Sequence, residues 1–173
     1  ARLIANDSPH QCTIRHMSRD PAVALPPDIA RMITREEMSE LPVRRYDGPV
    51  HLLTAPSEAA LALQDVRDDG VLGFDTETRP AFRRGESYLP SLVQLATAQA
   101  VYLLQVQLVD HADFLREVFS SINIVKAGVS VKDDINDLRK LFEFDANAVV
   151  DLGKLAKREG LKQTGVRNLA GIF

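Results

Sequence analysis

Hydrophobic positions along this chain follow two different periods, which divide it into alternating strands and helices. Strand-like apolar runs lie at residues 50–54, 71–78, 91–97, 100–104, 124–129 and 148–150. Helical spacing of apolar residues is seen at 57–69, 113–121, 131–142 and 151–159. The first of these helices is predicted to take Ser57 as its N-cap and to end at Gly70. Strands that alternate with helices predict an α/β fold, and the short turn at Ala98-Gln99 requires one antiparallel neighbour in the sheet.

The run at 71–78 ends in two carboxylates, Asp75 and Glu77, which are separated by one residue. Side chains at positions i and i+2 of a strand point to the same face. We therefore expect both acids to project together from an apolar element, where like charges repel each other and are costly to desolvate. A divalent cation such as Mg²⁺ or Mn²⁺ would satisfy their oxygens. From this stretch alone, a strand that ends at a solvated acidic turn is the alternative interpretation.

A third carboxylate is predicted on the buried side of the helix at 131–142. Asp134 falls within the apolar stripe of this helix, one turn from both Val131 and Leu138. The adjacent Asp133 points to the opposite side and is expected to be an ordinary surface residue. An unpaired acid on a buried face is energetically costly, so Asp134 needs a partner and is a candidate metal ligand.

Composition and charge narrow the class of protein. The chain has 173 residues, of which 45% are hydrophobic and 26% are charged, as in an ordinary globular domain. No apolar run approaches membrane-spanning length, and the single cysteine, Cys12, excludes an internal disulfide and fits a cytoplasmic location. The net charge of −3 argues against a protein that coats nucleic acid by bulk electrostatics. It is compatible with an enzyme that meets phosphates through bound metal and a few local cations.

The first 45 residues differ from the rest of the chain, because proline is frequent there and hydrophobic periodicity is weak. We interpret residues 1–45 as an N-terminal extension, and residues 1–16, which precede Met17, as an added segment or an irregular arm. Short helices are expected at 28–32 and 35–39. Residues 46–173 are expected to form the domain that carries the acids.

Three segments of this domain resemble the motifs of a known family. The sequence FDTET at 74–78 is followed by SLVQLA at 91–96 and by KAGVSVKDD at 126–134. In order and context they resemble the DEDD 3′-5′ exonucleases, and most of all the ribonuclease D branch and the Werner-syndrome exonuclease domain. The resemblance covers about residues 46–173. It implies a ribonuclease-H-like fold, in which a mixed five-stranded sheet with an antiparallel second strand is flanked by helices.

The resemblance also implies a reaction and roles for the acids. Such an enzyme hydrolyses phosphodiester bonds at the 3′ end of DNA or RNA with two divalent cations, Mg²⁺ or Mn²⁺, and releases nucleoside monophosphates. Asp75 would bridge the two ions, and Glu77 would bind the ion that activates the attacking water. Asp134 would act near the other ion, which stabilises the departing 3′ oxygen. The implied partner is a nucleic acid with a free 3′ end.

The sequence departs from the family at the third motif, which should be a Tyr-x-x-x-Asp on a helix near the C-terminus. The residues four positions after Tyr46, Tyr88 and Tyr102 are valine, leucine and valine. Three of the four acids are therefore present, and we expect the sequence to be truncated before the third motif and weakly active or inactive as given. A non-catalytic module that binds nucleic acid on a degenerate nuclease fold is the alternative function.

Other polar residues are weaker candidates for substrate contact. Arg83 and Arg84, in the loop after the first motif, would guide the phosphate backbone, and Lys132 would meet a phosphate beside the acids. Gln94 lies in the strand beside the first motif. Each has a structural alternative, which is solvent exposure for the three cations and a bond to neighbouring backbone for Gln94. A glycosidase with Asp75 and Glu77 as its carboxylate pair is the rival enzyme hypothesis, but it leaves the third acid unexplained.

Overall fold

The computed structural model of the chain describes residues 25–173, which contain six strands and six helices. The strands are β1 (Val50–Leu53), β2 (Val71–Thr78), β3 (Pro90–Ala96), β4 (Val101–Leu104), β5 (Val125–Gly128) and β6 (Val149–Asp151). The helices are α1 (Arg35–Glu40), α2 (Pro56–Asp69), α3 (Ala112–Ser120), α4 (Val131–Leu138), α5 (Leu152–Arg158) and α6 (Val166–Ile172). Cys12 and the segment at 1–16 lie outside the described residues.

All six strands belong to one mixed sheet in the order β1-β4-β3-β2-β5-β6. Strand β3 runs antiparallel to both of its neighbours, whereas the β1/β4, β2/β5 and β5/β6 pairs are parallel. The predicted α/β class and the antiparallel strand after the acid-bearing strand are confirmed. The sheet has one strand more than the five that the resemblance implies, because β1 pairs with β4 and extends that edge.

Helices α2, α3 and α4 cover one face of the sheet. Leu72 and Phe74 of β2 are buried on this face, where Phe74 packs edge-on against Phe119 of α3 with ring centroids 4.9 Å apart. Phe119 is fully buried and also contacts Phe144, at 5.1 Å between centroids. The alternation along β2 places its two acids on the opposite, exposed face. The core therefore fixes the position of the acid-bearing strand without burying the acids.

The described part of the predicted N-terminal extension contacts the C-terminal elements. Lys162 donates its main-chain N–H to the carbonyl of Arg31 at 2.8 Å, and the main-chain N–H of Ile33 donates to Gln163 Oε1 at 2.8 Å. Ile33 is buried. The domain boundary near residue 46 stays a prediction. No helix within residues 25–173 combines the length and the apolar content that crossing a membrane would need.

Helix ends agree with the predictions in part. Thr34 and Glu37 form a capping box at α1, which confirms the helix predicted at 35–39. The helix predicted at 28–32 is wrong, because Pro27 has no side-chain acceptor that could cap so short a helix. A turn is found instead, in which the N–H of Ile29 donates to the carbonyl of Pro26. Helix α2 begins at Pro56, not after Ser57, since proline suits the first helical position. Gly70 ends α2 in the left-handed conformation, as predicted.

Gly128 lies where the main chains of β5 and β2 approach closely. A side-chain carbon at this position would lie 2.3 Å from the carbonyl oxygen of Phe74 and 2.5 Å from Val131 Cγ1. We expect Gly128→Ala to lower the free energy of unfolding by about 1–3 kcal/mol through overpacking, as measured by urea denaturation. Gly165→Ala is the matched control, because Gly165 has φ −77° and no atom within 4 Å of an added carbon. An equal loss in both variants would contradict this account.

Candidate functional site

The two acids of the first motif lie at the C-terminal end of β2. Asp75 pairs with Gln94 and Glu77 with Leu92 of β3, and the register shifts between Glu77 and Thr78. Both carboxylates are exposed on the same face of the strand, as their spacing predicts. Because β5 and β6 run parallel to β2, the turns that lead from them into α4 and α5 lie at this same edge of the sheet.

Gln94 lies beside these acids and contacts one of them. Its Nε2 donates to Glu77 Oε1 over 3.5 Å, which is a long hydrogen bond. The partner is therefore the Glu77 carboxylate and not the neighbouring backbone of the structural alternative. This contact places an amide donor beside the Glu77 carboxylate.

Asp134 approaches β2 from the helix-covered side. It is half-buried in α4 between the buried Val131 and Leu138, whereas Asp133 is exposed, as predicted. The hydroxyl of Thr76 donates a hydrogen bond to Asp134 Oδ1. Burial raises the pKa of the Asp134 carboxyl above its ordinary value, the Thr76 bond opposes this rise, and the negative charge of Asp75 adds to it. The carboxylates of Asp134 and Asp75 are thus coupled electrostatically.

The turn before α4 determines how Asp134 faces β2. Ser130 adopts φ 63°, in the left-handed region that residues other than glycine rarely occupy. Its N–H donates to Asp151 Oδ1 at 3.3 Å, and the same oxygen accepts from the N–H of Lys154 at 3.1 Å. Burial opposes but does not outweigh these bonds, which lower the pKa of Asp151. Asp151 is thus the N-cap of α5, as predicted, and it also ties α5 to the start of α4.

The three predicted acids do not form a closed set of ligands. Asp134 contacts Thr76 on one side of β2, whereas Asp75 and Glu77 are exposed on the other. In the part of the chain that the structure describes, no three His, Cys, Asp or Glu side chains are grouped so as to hold a metal ion. The donor chemistry nevertheless fits a divalent cation. A positive charge between Asp75 and Asp134 would offset both the burial and the like charge that raise the pKa of Asp134.

Three predicted phosphate contacts lie away from this cluster. Arg83 and Arg84 are exposed in the loop between β2 and β3, where Arg83 Nε lies 4.0 Å from Glu86 Oε1. In the same loop, the guanidinium of Arg79 stacks on the ring of Tyr88 at 3.8 Å. Lys132 is exposed near the start of α4 and lines a groove between α4 and α5. Neither the loop nor this lysine contacts the three acids.

Thr76 is the residue of this site that sequence reasoning missed. It was treated as the spacer between two acids, yet its hydroxyl is the partner of the third acid. The available signal was strand alternation, which turns Thr76 toward the helix-covered face, where Asp134 was itself predicted to need a partner.

A mixed sheet flanked by helices, with acids at the end of the strand beside its antiparallel member, defines a ribonuclease-H-like nuclease fold. The profile of the 3′-5′ exonuclease family matches residues 50–171 of this chain. The chain therefore belongs to the 3′-5′ exonuclease family, among the DEDD exonucleases, which confirms the resemblance.

Known proteins similar to this chain are exonucleases. The exonuclease mut-7 homolog of Aedes aegypti is 28% identical over 103 residues, which are 57% of this chain and 14% of that protein. The Aedes aegypti Nibbler EXO domain superposes with a TM-score of 0.57 and 25% identity, over 67% of this chain and 58% of that one. The EXD2 exonuclease domain gives 0.55 and 21%, over 64% and 60% of the two chains. Trypanosoma brucei RNase D gives 0.55 and 18%, over 62% and 39%. The last two show the fold alone.

The raised pKa of Asp134 predicts how its removal changes stability with pH. The folded pKa exceeds the ordinary value of 3.8, so the folded state binds more protons than the unfolded state, and stability falls as pH rises through this interval. The substitution Asp134→Asn removes the ionisable group and therefore this loss of stability. The Tm of the variant minus the Tm of the unchanged protein, both measured in EDTA, should be more positive near pH 7 than near pH 4. The exposed Asp133→Asn is the control, and a pH-independent Tm difference for Asp134→Asn would contradict the assignment.

Proposed function

We propose that this chain carries a metal-dependent 3′-5′ exonuclease activity, which hydrolyses the terminal phosphodiester bond at the 3′ end of DNA or RNA. The observation that supports it best is the coupling of Asp134 to the acid-bearing strand, through Thr76 and through the charge of Asp75. A strand that merely ended in a solvated acidic turn would need no half-buried third carboxylate. The glycosidase hypothesis also leaves this carboxylate without a role.

Asp75, Glu77 and Asp134 are the residues that would hold two divalent cations, Mg²⁺ or Mn²⁺. Their hard carboxylate oxygens suit such ions, and the bound ions would supply Lewis acidity and lower the pKa of the attacking water. Asp75 is the residue proposed to be shared between the ions. The EXD2 exonuclease domain, which has a similar fold, has a crystal structure that was obtained with the domain soaked in Mn and Mg.

The remaining residues of the site would position these acids. Gln94 places an amide donor beside the Glu77 carboxylate. Thr76 holds one oxygen of Asp134, so the second oxygen stays available. Hydrolysis forms a bond between the water oxygen and phosphorus and breaks the bond from phosphorus to the 3′ oxygen, which takes up a proton. The phosphate stays on the departing nucleotide, so the product is a nucleoside 5′-monophosphate. Arg83 and Arg84 are proposed to contact the backbone of the bound strand.

The test is the shortening of 5′-labelled single-stranded RNA and DNA in the presence of Mg²⁺ or Mn²⁺. Because the sequence contains three of the four acids of the family, we expect a weak ladder of products, which EDTA abolishes. Loss of a ligand should cost at least as much as loss of a residue that supports a ligand, so Asp75→Asn and Asp134→Asn should each lower the rate by about 100-fold or more. Asp133→Asn is the matched control, because it removes the neighbouring but exposed acid and should retain the rate. A ladder that survives in EDTA or in Asp75→Asn would refute the proposal.

A non-catalytic module that binds nucleic acid is the second candidate. It is favoured by the open arrangement of the three acids in the described part of the chain. The two candidates differ in one outcome, because this module would bind the labelled strand and leave its length unchanged. Calorimetric titration with Mn²⁺ gives an independent measurement. The exonuclease proposal requires Mn²⁺ binding that Asp75→Asn weakens.

A further inference from the structure

A groove with an excess of positive charge lies between α4, β6 and α5. It encloses about 620 Å³, and its charged lining residues are Lys132, Arg139, Lys154, Arg158 and one acid, Asp151. Four cations against one anion contrast with the net charge of −3 of the whole chain. The excess is therefore local to this groove.

The one acid in the groove is already occupied by main-chain donors. Asp151 accepts from the N–H groups of Ser130 and Lys154, and its other oxygen lies 3.6 Å from Lys154 Nζ. It is a structural cap that pairs with one of the four cations, and the groove keeps an excess of positive charge. Lys132 and Lys154 are exposed, so their ammonium groups can turn toward a bound anion.

The two arginines are held near the far end of the groove. Arg139 donates to the carbonyl of Phe144 at 3.2 Å, and its guanidinium lies 5.6 Å from the centre of the Phe144 ring. Arg158 pairs with Glu159 at 2.9 Å, while its side chain remains mostly exposed. These contacts fix the direction of both side chains and leave guanidinium donors available for phosphate oxygens.

The groove begins at the edge of the sheet that carries the first-motif acids. Gly128 lies against the Phe74 carbonyl and pairs with Asp151, so Asp151 is two strand spacings, about 10 Å, from Phe74. From Lys132 to Arg139 the groove follows α4 for about 10 Å. One small anion cannot contact cations that are spread over this length, whereas the successive phosphates of a polymer can. The apolar floor, which includes Val149 and Val150, would face sugars or bases.

We propose that this groove binds the backbone of the single-stranded nucleic acid whose 3′ end occupies the carboxylate edge. The direction of the strand rests on the proposed exonuclease function, whereas the binding itself rests on the groove alone. The strand would pass Lys132 and Lys154 first and reach Arg139 and Arg158 several nucleotides from its 3′ end.

The test measures binding without catalysis, by fluorescence anisotropy of a 5′-labelled oligouridylate in EDTA. The double variant Lys154→Ala/Arg158→Ala removes two groove cations. We expect its Kd to rise about tenfold, and the slope of log K against log salt to fall by about 1.4, which corresponds to two lost phosphate contacts on a single strand.

Lys140→Ala/Lys157→Ala is the matched control, since both of these exposed cations lie just after or within the same helices but do not line the groove. The control should bind within twofold of the unchanged chain, and circular dichroism verifies that each variant is folded. If the alanine variant of the groove is not folded, Lys154→Gln/Arg158→Gln takes its place, because glutamine keeps more of the side-chain packing.

Equal losses in the groove and control variants would show a bulk charge effect and overturn the groove assignment. So would unchanged binding in the groove variant, or no binding by the unchanged chain. The exonuclease proposal is decided separately by the ladder and the Asp75→Asn control. A ladder with no groove effect refutes only the groove, and a groove effect without a ladder refutes only the exonuclease.

Discussion

The parallel pairing of β5 with β2 is the constraint on which the candidate site depends. It brings Gly128 against the carbonyl of Phe74, a distance that only a residue without a side chain permits. Helix α4 starts three residues later, after the left-handed turn at Ser130, and so presents Asp134 to Thr76. On the covered face, β5 is fixed by the fully buried Lys126, whose Nζ donates to the carbonyls of Val118 and Ser121 at 3.0 and 2.9 Å. Burial lowers the pKa of this lysine to about 8. Strand β5, which positions Asp134, is therefore fixed both by its close approach to β2 and by the hydrogen bonds of Lys126.

The burial of one carboxylate and its closeness to a second destabilise the folded chain, and the same two features would favour the binding of a cation. Burial and the nearby charge of Asp75 raise the pKa of Asp134, and the raised pKa means that the folded chain is less stable at neutral pH. The Thr76 hydroxyl offsets only part of this effect, because one hydrogen bond does not replace the hydration that Asp134 loses. Asp133, one position away, is exposed and carries no such penalty. That difference distinguishes Asp134, the proposed metal ligand, from an ordinary surface residue.

The sequence predicted the parts of the fold that depend on periodicity and local chemistry. Apolar alternation located β2 and placed its acids on one face, and helical spacing separated Asp134 from Asp133. Alternation turns Thr76 toward the covered face, but no local pattern selects the distant residue with which it pairs. Thr76 meets Asp134 across 58 positions, and Asp151 joins Ser130 across 21. The groove was missed for the same reason. Lys132 was recognised alone, but Lys154 and Arg158 join it only because β6 lies next to β5.

Net charge is a poor guide to what this chain can bind, because opposite charges lie on different parts of one sheet edge. Exposed carboxylates at the end of β2 would repel phosphates unless cations intervened, whereas the α4/α5 groove would attract them directly. A strand drawn into the groove would extend about 10 Å across the sheet, from Asp151 to Phe74, before it reached the acids. The acids would repel an internal phosphate that had no cation beside it. This arrangement of charges favours an end of the strand over its interior, which is what an exonuclease requires.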